Sequence, residues 1–109
     1  MIQVDKNIWS IHDPDKVLSF DASDFDQSVL KFGGAIHPRE DLLSFEHNSL
    51  NYLIDFGFYG SEITLDGSWV VYVIDTNLDE SWGEPVERIE SDRFLEGISH
   101  VQSMLTKYT

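Results

Sequence analysis

The chain has 109 residues, 7 Lys and Arg against 20 Asp and Glu for a formal net charge of −13, no Cys, and 13% aromatic residues within 41% hydrophobic. That length suits one domain with one core, and 1–109 reads as a single unit without repeats, low-complexity tracts or a Pro/Gly/Ser linker. The aromatic content excludes a disordered acidic tail, zero Cys excludes disulfides and thiolate chemistry, and the lack of a long apolar run or basic leader predicts neither a membrane span nor a signal peptide.

Ile2 to Ile11 alternates loosely and predicts a short strand or an ordered arm. Asp13-Pro14 predicts a helix start, with Asp13 as N-cap, Pro14 at the first helical position, and Val17, Leu18 and Phe20 turned inward. Ser23 or Asp24 would cap a second short helix through Phe25, Val29 and Phe32, closed by Gly33-Gly34. A strand over 29–32 is the alternative. Leu42, Leu43 and Phe45 fit helix or strand equally, whereas the aromatic-rich run from Leu50 to Tyr59 predicts a strand.

Asp66-Gly67, flanked by Ser61–Leu65 and Ser68–Asp75, predicts a tight type I′ hairpin, because both central residues of that turn need φ > 0. Trp69 to Ile74 is apolar on both faces and predicts a central strand covered on both sides. A polar loop follows over 75–83. Pro85 then restricts Glu84 to Glu90 to an edge strand or an irregular segment. Ser91 as N-cap and Asp92 in the first turn open a terminal helix. Its apolar stripe is Phe94, Ile98, Val101 and Leu105, with Leu95 and Gln102 beside it. Gly97 inside that helix costs about 1 kcal/mol relative to Ala, so it predicts a close approach of helix to sheet. The fold class is therefore α+β: a small antiparallel sheet of three to five strands with a C-terminal helix packed across it.

The acidity is clustered. Asp13, Asp15, Asp21, Asp24 and Asp26 face only Lys16 within 13–26. Asp75, Asp79, Glu80, Glu84, Glu87, Glu90, Asp92 and Glu96 face only Arg88 and Arg93 within 75–96. Like charges this close oppose compaction. A solvated face explains a few net charges, with about 2–8 enough for a small soluble domain. The clustering points further, to a surface for a basic partner. It also argues against direct binding to nucleic acid or an anionic membrane.

Chemistry is sparse. Asp75, Asn77 and Asp79 have the spacing of the first ligands of an EF-hand, but Glu80 and Val86 stand where that loop needs Gly and Glu. Asp21, Asp24 and Asp26 make a poorer cluster still, so no metal is expected. His12, His37, His47 and His100 sit in no H-E-x-x-H pattern, no G-x-S-x-G occurs, and Gly33-Gly34 is no phosphate loop. The expectation is no enzyme and no cofactor. Trp82, within Asp79-Glu80-Ser81-Trp82-Gly83-Glu84, either folds over the edge of the core or serves as an interface anchor. Trp9 and Tyr59 could play similar parts.

A small acidic chain without Cys, with a hairpin over Ser61–Asp75, an acid-and-Trp loop through Glu84-Pro85 and a closing helix over Asp92–Tyr108, resembles bacterial toxin-immunity proteins. The groups nearest in character are the immunity partners of contact-dependent growth inhibition toxins and of nuclease bacteriocins. The resemblance covers the general make-up of the whole chain. It implies a cytoplasmic inhibitor that binds a basic toxin domain, a nuclease, one-to-one and blocks its active site or substrate surface. From the charge pattern, Asp75, Asp79, Glu80, Trp82, Glu84 and Glu87 are the first-choice surface, and Asp21, Asp24 and Asp26 the second. The rivals are a nucleic-acid mimic that inhibits a host defence enzyme, a small hydrolase using His and Asp/Glu, and an adaptor domain whose acidity only gives solubility.

Overall fold

The computed structural model describes residues 2–14, 16–19, 40, 42–60, 67–77 and 83–109. Five strands, β1 (Trp9–His12), β2 (Leu43–His47), β3 (Tyr52–Gly60), β4 (Gly67–Asp75) and β5 (Glu87–Ser91), form one antiparallel sheet in chain order. A C-terminal helix, α1 (Phe94–Lys107), packs across it against β3, β4 and β5. This is the expected α+β architecture.

The pleat explains the core. Along β3 and β4 the register runs from Tyr52↔Asp75 to Gly60↔Gly67, which brings Ile54, Phe56 and Phe58 together with Trp69, Val71 and Val73 on one face. Leu43 and Phe45 of β2 and Trp9 of β1 continue that face, and Phe94, Ile98, Val101, Met104 and Leu105 of α1 close it. Aromatic rings occupy the centre: Phe56 stacks on Trp69 at 5.5 Å, and Phe94 meets Trp69 edge-on at 4.8 Å. Gly97 faces Phe56, where a Cβ would lie 2.5 Å from the ring, so the predicted close approach of helix to sheet is present.

On the opposite face Val70 and Ile74 are completely buried. β4 is thus apolar on both sides, as its sequence requires, although β3 holds the middle of the sheet. Residues 42–47, ambiguous by periodicity, are β2, and Pro85 precedes β5, which is an edge strand.

The hairpin differs from expectation. Ser68 pairs with Tyr59 and Gly67 with Gly60, so Asp66-Gly67 is not a two-residue turn, and β4 pairs with Tyr52–Gly60 rather than with Ser61–Leu65. Gly67 is needed for another reason. Its φ is +151°, and a Cβ there would sit 2.3 Å from the Tyr59 carbonyl oxygen where the two strands converge. Gly67 is therefore the first residue of β4 rather than a turn position.

Helix ends differ too. The N-cap of α1 is Arg93, which makes no side-chain capping bond, while Ser91 is the last residue of β5, buried and with its hydroxyl unpartnered. Leu95 is exposed, and Met104 takes a place in the buried stripe, because the face that meets the sheet is centred on Ile98, Val101 and Leu105. Pro14 lies ahead of the first helix rather than at its first position, and the side chain that caps that helix is Asp13, as expected. Its two carboxylate oxygens accept the Val17 and Leu18 N–H groups at 2.7 and 3.0 Å, holding a three-residue 3₁₀ helix over Val17–Ser19. Val17 is buried and Leu18 packs against the core, while Phe20 lies outside the described residues. The expected helix or strand within 23–34 also lies outside them. The N-terminal arm docks on α1: Gln3 N–H donates to Gln102 Oε1 at 2.6 Å, and Gln102 Nε2 donates back to the Gln3 carbonyl at 3.1 Å.

Candidate functional site

The described part of the acidic stretch that begins at Asp75 lies at the end of β4 and along β5, the edge strand. Asp75 ends β4 and is half-buried, and its Oδ1 accepts the Asn77 N–H at 3.0 Å, a local Asx turn. Asp79, Glu80 and Trp82 lie outside the described residues, as do Asp21, Asp24 and Asp26. Glu84 is exposed beside Pro85 and the exposed Val86.

Glu87 has a different role from its neighbours. It is half-buried at the start of β5 and accepts hydrogen bonds from Tyr108 Oη and from Lys107 Nζ, the latter at 3.0 Å. Those two donors, Tyr108 first and Lys107 second, hold its carboxyl below the usual carboxylate range. Burial and the Glu87 carboxylate in turn push the Tyr108 phenol up, so it stays protonated and keeps donating. Glu87 therefore ties the end of α1 to the edge strand. Next along β5, Arg88 pairs with Glu90 at 2.5 Å. Two of the chain's seven cations are thus spent on Glu87 and Glu90, and Asp75, Glu84 and Asp92 have no cation partner among the described residues.

A second polar group lies on the face of the sheet away from α1. Asp55 is buried to 4% exposure within β3 and accepts the Tyr59 hydroxyl at 3.0 Å. The Tyr59 ring meets Tyr72 edge-on at 5.3 Å, and Arg88 Nε donates to the Tyr72 hydroxyl at 3.2 Å. Burial, and then the Asp55 charge, push the Tyr59 phenol far above its ordinary value, so it is a fixed donor and no base at neutral pH. Sequence reading passed over Asp55, Tyr72 and Arg88 as site residues. Asp55 interrupting an apolar strand was the available signal, but only the Asp55↔Tyr72↔Arg88 register brings the three together.

The histidines divide by place. His47 Nδ1 accepts the Ser49 and Leu50 N–H groups at 3.0 and 2.8 Å, closing the β2–β3 turn, and its ring packs edge-on against Trp9. His100 is half-buried on α1, 4.0 Å from Glu96. His12 is exposed, and His37 lies outside the described residues. None has a nucleophile within hydrogen-bond reach among the described residues, and no three His, Asp or Glu side chains there converge as metal ligands. No described helix is long and apolar enough to cross a membrane. Comparison with protein-family models, with curated proteins and with solved structures found no match.

Proposed function

We propose that this chain is a toxin-immunity protein: a cytoplasmic inhibitor that binds a basic toxin domain, a nuclease, in a one-to-one complex and occludes its active site or substrate surface. The supporting observation is how the fold uses its few cations. Arg88 and Lys107 are absorbed by Glu90 and Glu87, and this leaves Asp75 and Glu84 without a cation partner among the described residues at the end of β5 where Val86 is exposed, and Asp92 likewise at its other end. Carboxylates around an apolar contact suit a surface that holds phosphates: they attract its Lys and Arg at a distance, and the apolar group excludes water on contact. Glu87 acts by holding the edge in place. Asp79, Glu80 and Trp82 belong to the same stretch of chain, and Asp21, Asp24 and Asp26 are the second surface.

The test is capture of native partners with the tagged chain, followed by co-expression of the chain with the growth-inhibiting nuclease domain so captured. The expected result is restored growth, with nuclease activity titrated to zero at one equivalent of purified protein. A nuclease that remains active under saturating protein overturns the reading.

A further inference from the structure

The two edges of the sheet are guarded differently. β5 carries Glu87, Arg88 and Glu90 and follows Pro85. Charges and a proline keep an edge strand from pairing with another chain. β1 has no such guard: residues 7–12 hold no Asp, Glu, Lys or Arg, in a chain with a net charge of −13. A cleft of about 610 Å³ touches Trp9, Ser10 and Ile11 in turn. Side chains of consecutive strand residues point to opposite faces, so such a cleft runs along the edge of the strand itself.

The backbone groups along that edge stand in a particular order. The Asn48 N–H donates to the Ile8 carbonyl at 2.8 Å across the β1–β2 ladder. Residues of an antiparallel ladder alternate, so Ile8, Ser10 and His12 direct both backbone groups to β2, and Trp9 and Ile11 direct theirs outward. The Asp13 N–H shares a trans peptide with the His12 carbonyl and points the opposite way, also outward. The Trp9 carbonyl, the Ile11 N–H and carbonyl, and the Asp13 N–H have no partner among the described residues. The two groups that flank this set are already used. The Trp9 N–H donates to the Asp5 carbonyl at 3.0 Å, and the Asp13 carbonyl accepts the Lys16 N–H at 3.2 Å.

We propose that β1 is the contact edge of a homodimer: a second copy adds antiparallel about Ile11, and the two sheets continue as one. The two-fold sets Ile11 opposite Ile11 and Trp9 opposite Asp13. Each Ile11 N–H then meets the other copy's Ile11 carbonyl, and each Asp13 N–H meets the other copy's Trp9 carbonyl. The groups left facing each other are the Trp9 N–H and the Asp13 carbonyl, the two that each copy already satisfies internally. An ordinary strand in this place would leave its own carbonyl and N–H unpaired opposite them, and a second copy leaves neither. Charge complementarity favours the same occupant. The two-fold brings the Asp13 carboxylate of one copy to the cleft wall that carries the other copy's Lys6. Lys6 is exposed and has no ion-pair partner among the described residues. The β5 strand lies four strand spacings away, about 19 Å, or about two Debye lengths at physiological salt, so its acids oppose the contact little. Both β5 edges face outward in the dimer, so the inference goes beyond the immunity reading and does not rest on it.

Sedimentation equilibrium of the full chain tests this. The expected result is a reversible monomer–dimer equilibrium with a Kd between about 10 μM and 1 mM, as suits a small interface. Amide exchange at Ile11 and Asp13, read by NMR, should slow by about threefold or more as the dimer forms. The two-fold also sets Ser10 opposite His12 of the other copy, and both are exposed. The double variant Ser10→Glu with His12→Glu places like charges opposite each other twice and should weaken the dimer by about tenfold. Ser10→Lys with His12→Lys should do the same. An equimolar mixture of the two double variants should dimerise at least as tightly as wild type, because each lysine then meets a glutamate. Thermal melts of the variants check that each is folded. The proposal is overturned by a wild-type chain that stays monomeric at about 1 mM, by a dimer that both folded double variants retain at wild-type strength, by a mixture that fails to recover it, or by unchanged Ile11 exchange on dimerisation.

Discussion

Gly97→Ala sets two known effects against each other, and the structure decides which wins. In an exposed helix the change gains about 1 kcal/mol of helix propensity. Here the new methyl would lie 2.5 Å from Phe56 Cε1 and 2.9 Å from Cζ. The ring cannot yield cheaply: Phe56 is fully buried, stacked on Trp69 at 5.5 Å and packed on Phe94 at 5.6 Å. Overpacking of this kind costs about 1–3 kcal/mol. Since that exceeds the propensity gain over most of its range, we expect a net destabilisation of about 1 kcal/mol, a fall in Tm of roughly 4 °C for a domain of this size. Urea denaturation of wild type, Gly97→Ala, Phe56→Leu and the double variant measures the coupling. The smaller side chain should accept the methyl and give a favourable coupling of about 1 kcal/mol. If Gly97→Ala alone raises stability, or if the two changes are additive, the helix does not press on the Phe56 ring.

Val71→Asp places an unpartnered charge at a residue 1% exposed and should cost several kcal/mol, so a soluble, cooperatively melting protein would refute the placement of β4. The triple reversal of Asp75, Glu84 and Asp92 to Lys should slow association with the basic partner and flatten its salt dependence while leaving a folded domain, whereas Trp82→Ala should act on dissociation; wild-type rates in both would remove this surface from the complex. Glu87 is depressed in the folded state, so its contribution to stability is present above the unfolded carboxyl pKa of about 4.3 and is lost as pH falls through the lower folded value. Tyr108→Phe should shift that loss to higher pH and Glu87→Gln should abolish it, both read from pH-dependent urea midpoints; a wild-type profile in Glu87→Gln would show that the tie to α1 does not operate.

Wherever neighbours along the chain carried the information, the sequence was enough. The β4 run is apolar on both faces because both faces are covered, Pro85 could only precede an edge, Asp13 reaches its own next N–H groups, and the stripe on α1 follows the helical period. Fold class came from these local constraints in series. What sequence could not decide was register, since it depends on two distant segments meeting. Asp66-Gly67 has turn chemistry, but the strand opposite Ser68 is set by how Ile54, Phe56 and Phe58 bury with Trp69, Val71 and Val73, and that puts Gly67 inside the ladder. Register alone also sets Asp55 opposite Tyr72 and Tyr72 opposite Arg88. The same limit holds for charge. An acidic stretch can be counted from the sequence, but Glu87 differs from Glu84 only because α1 ends beside it, where Lys107 and Tyr108 claim its carboxylate.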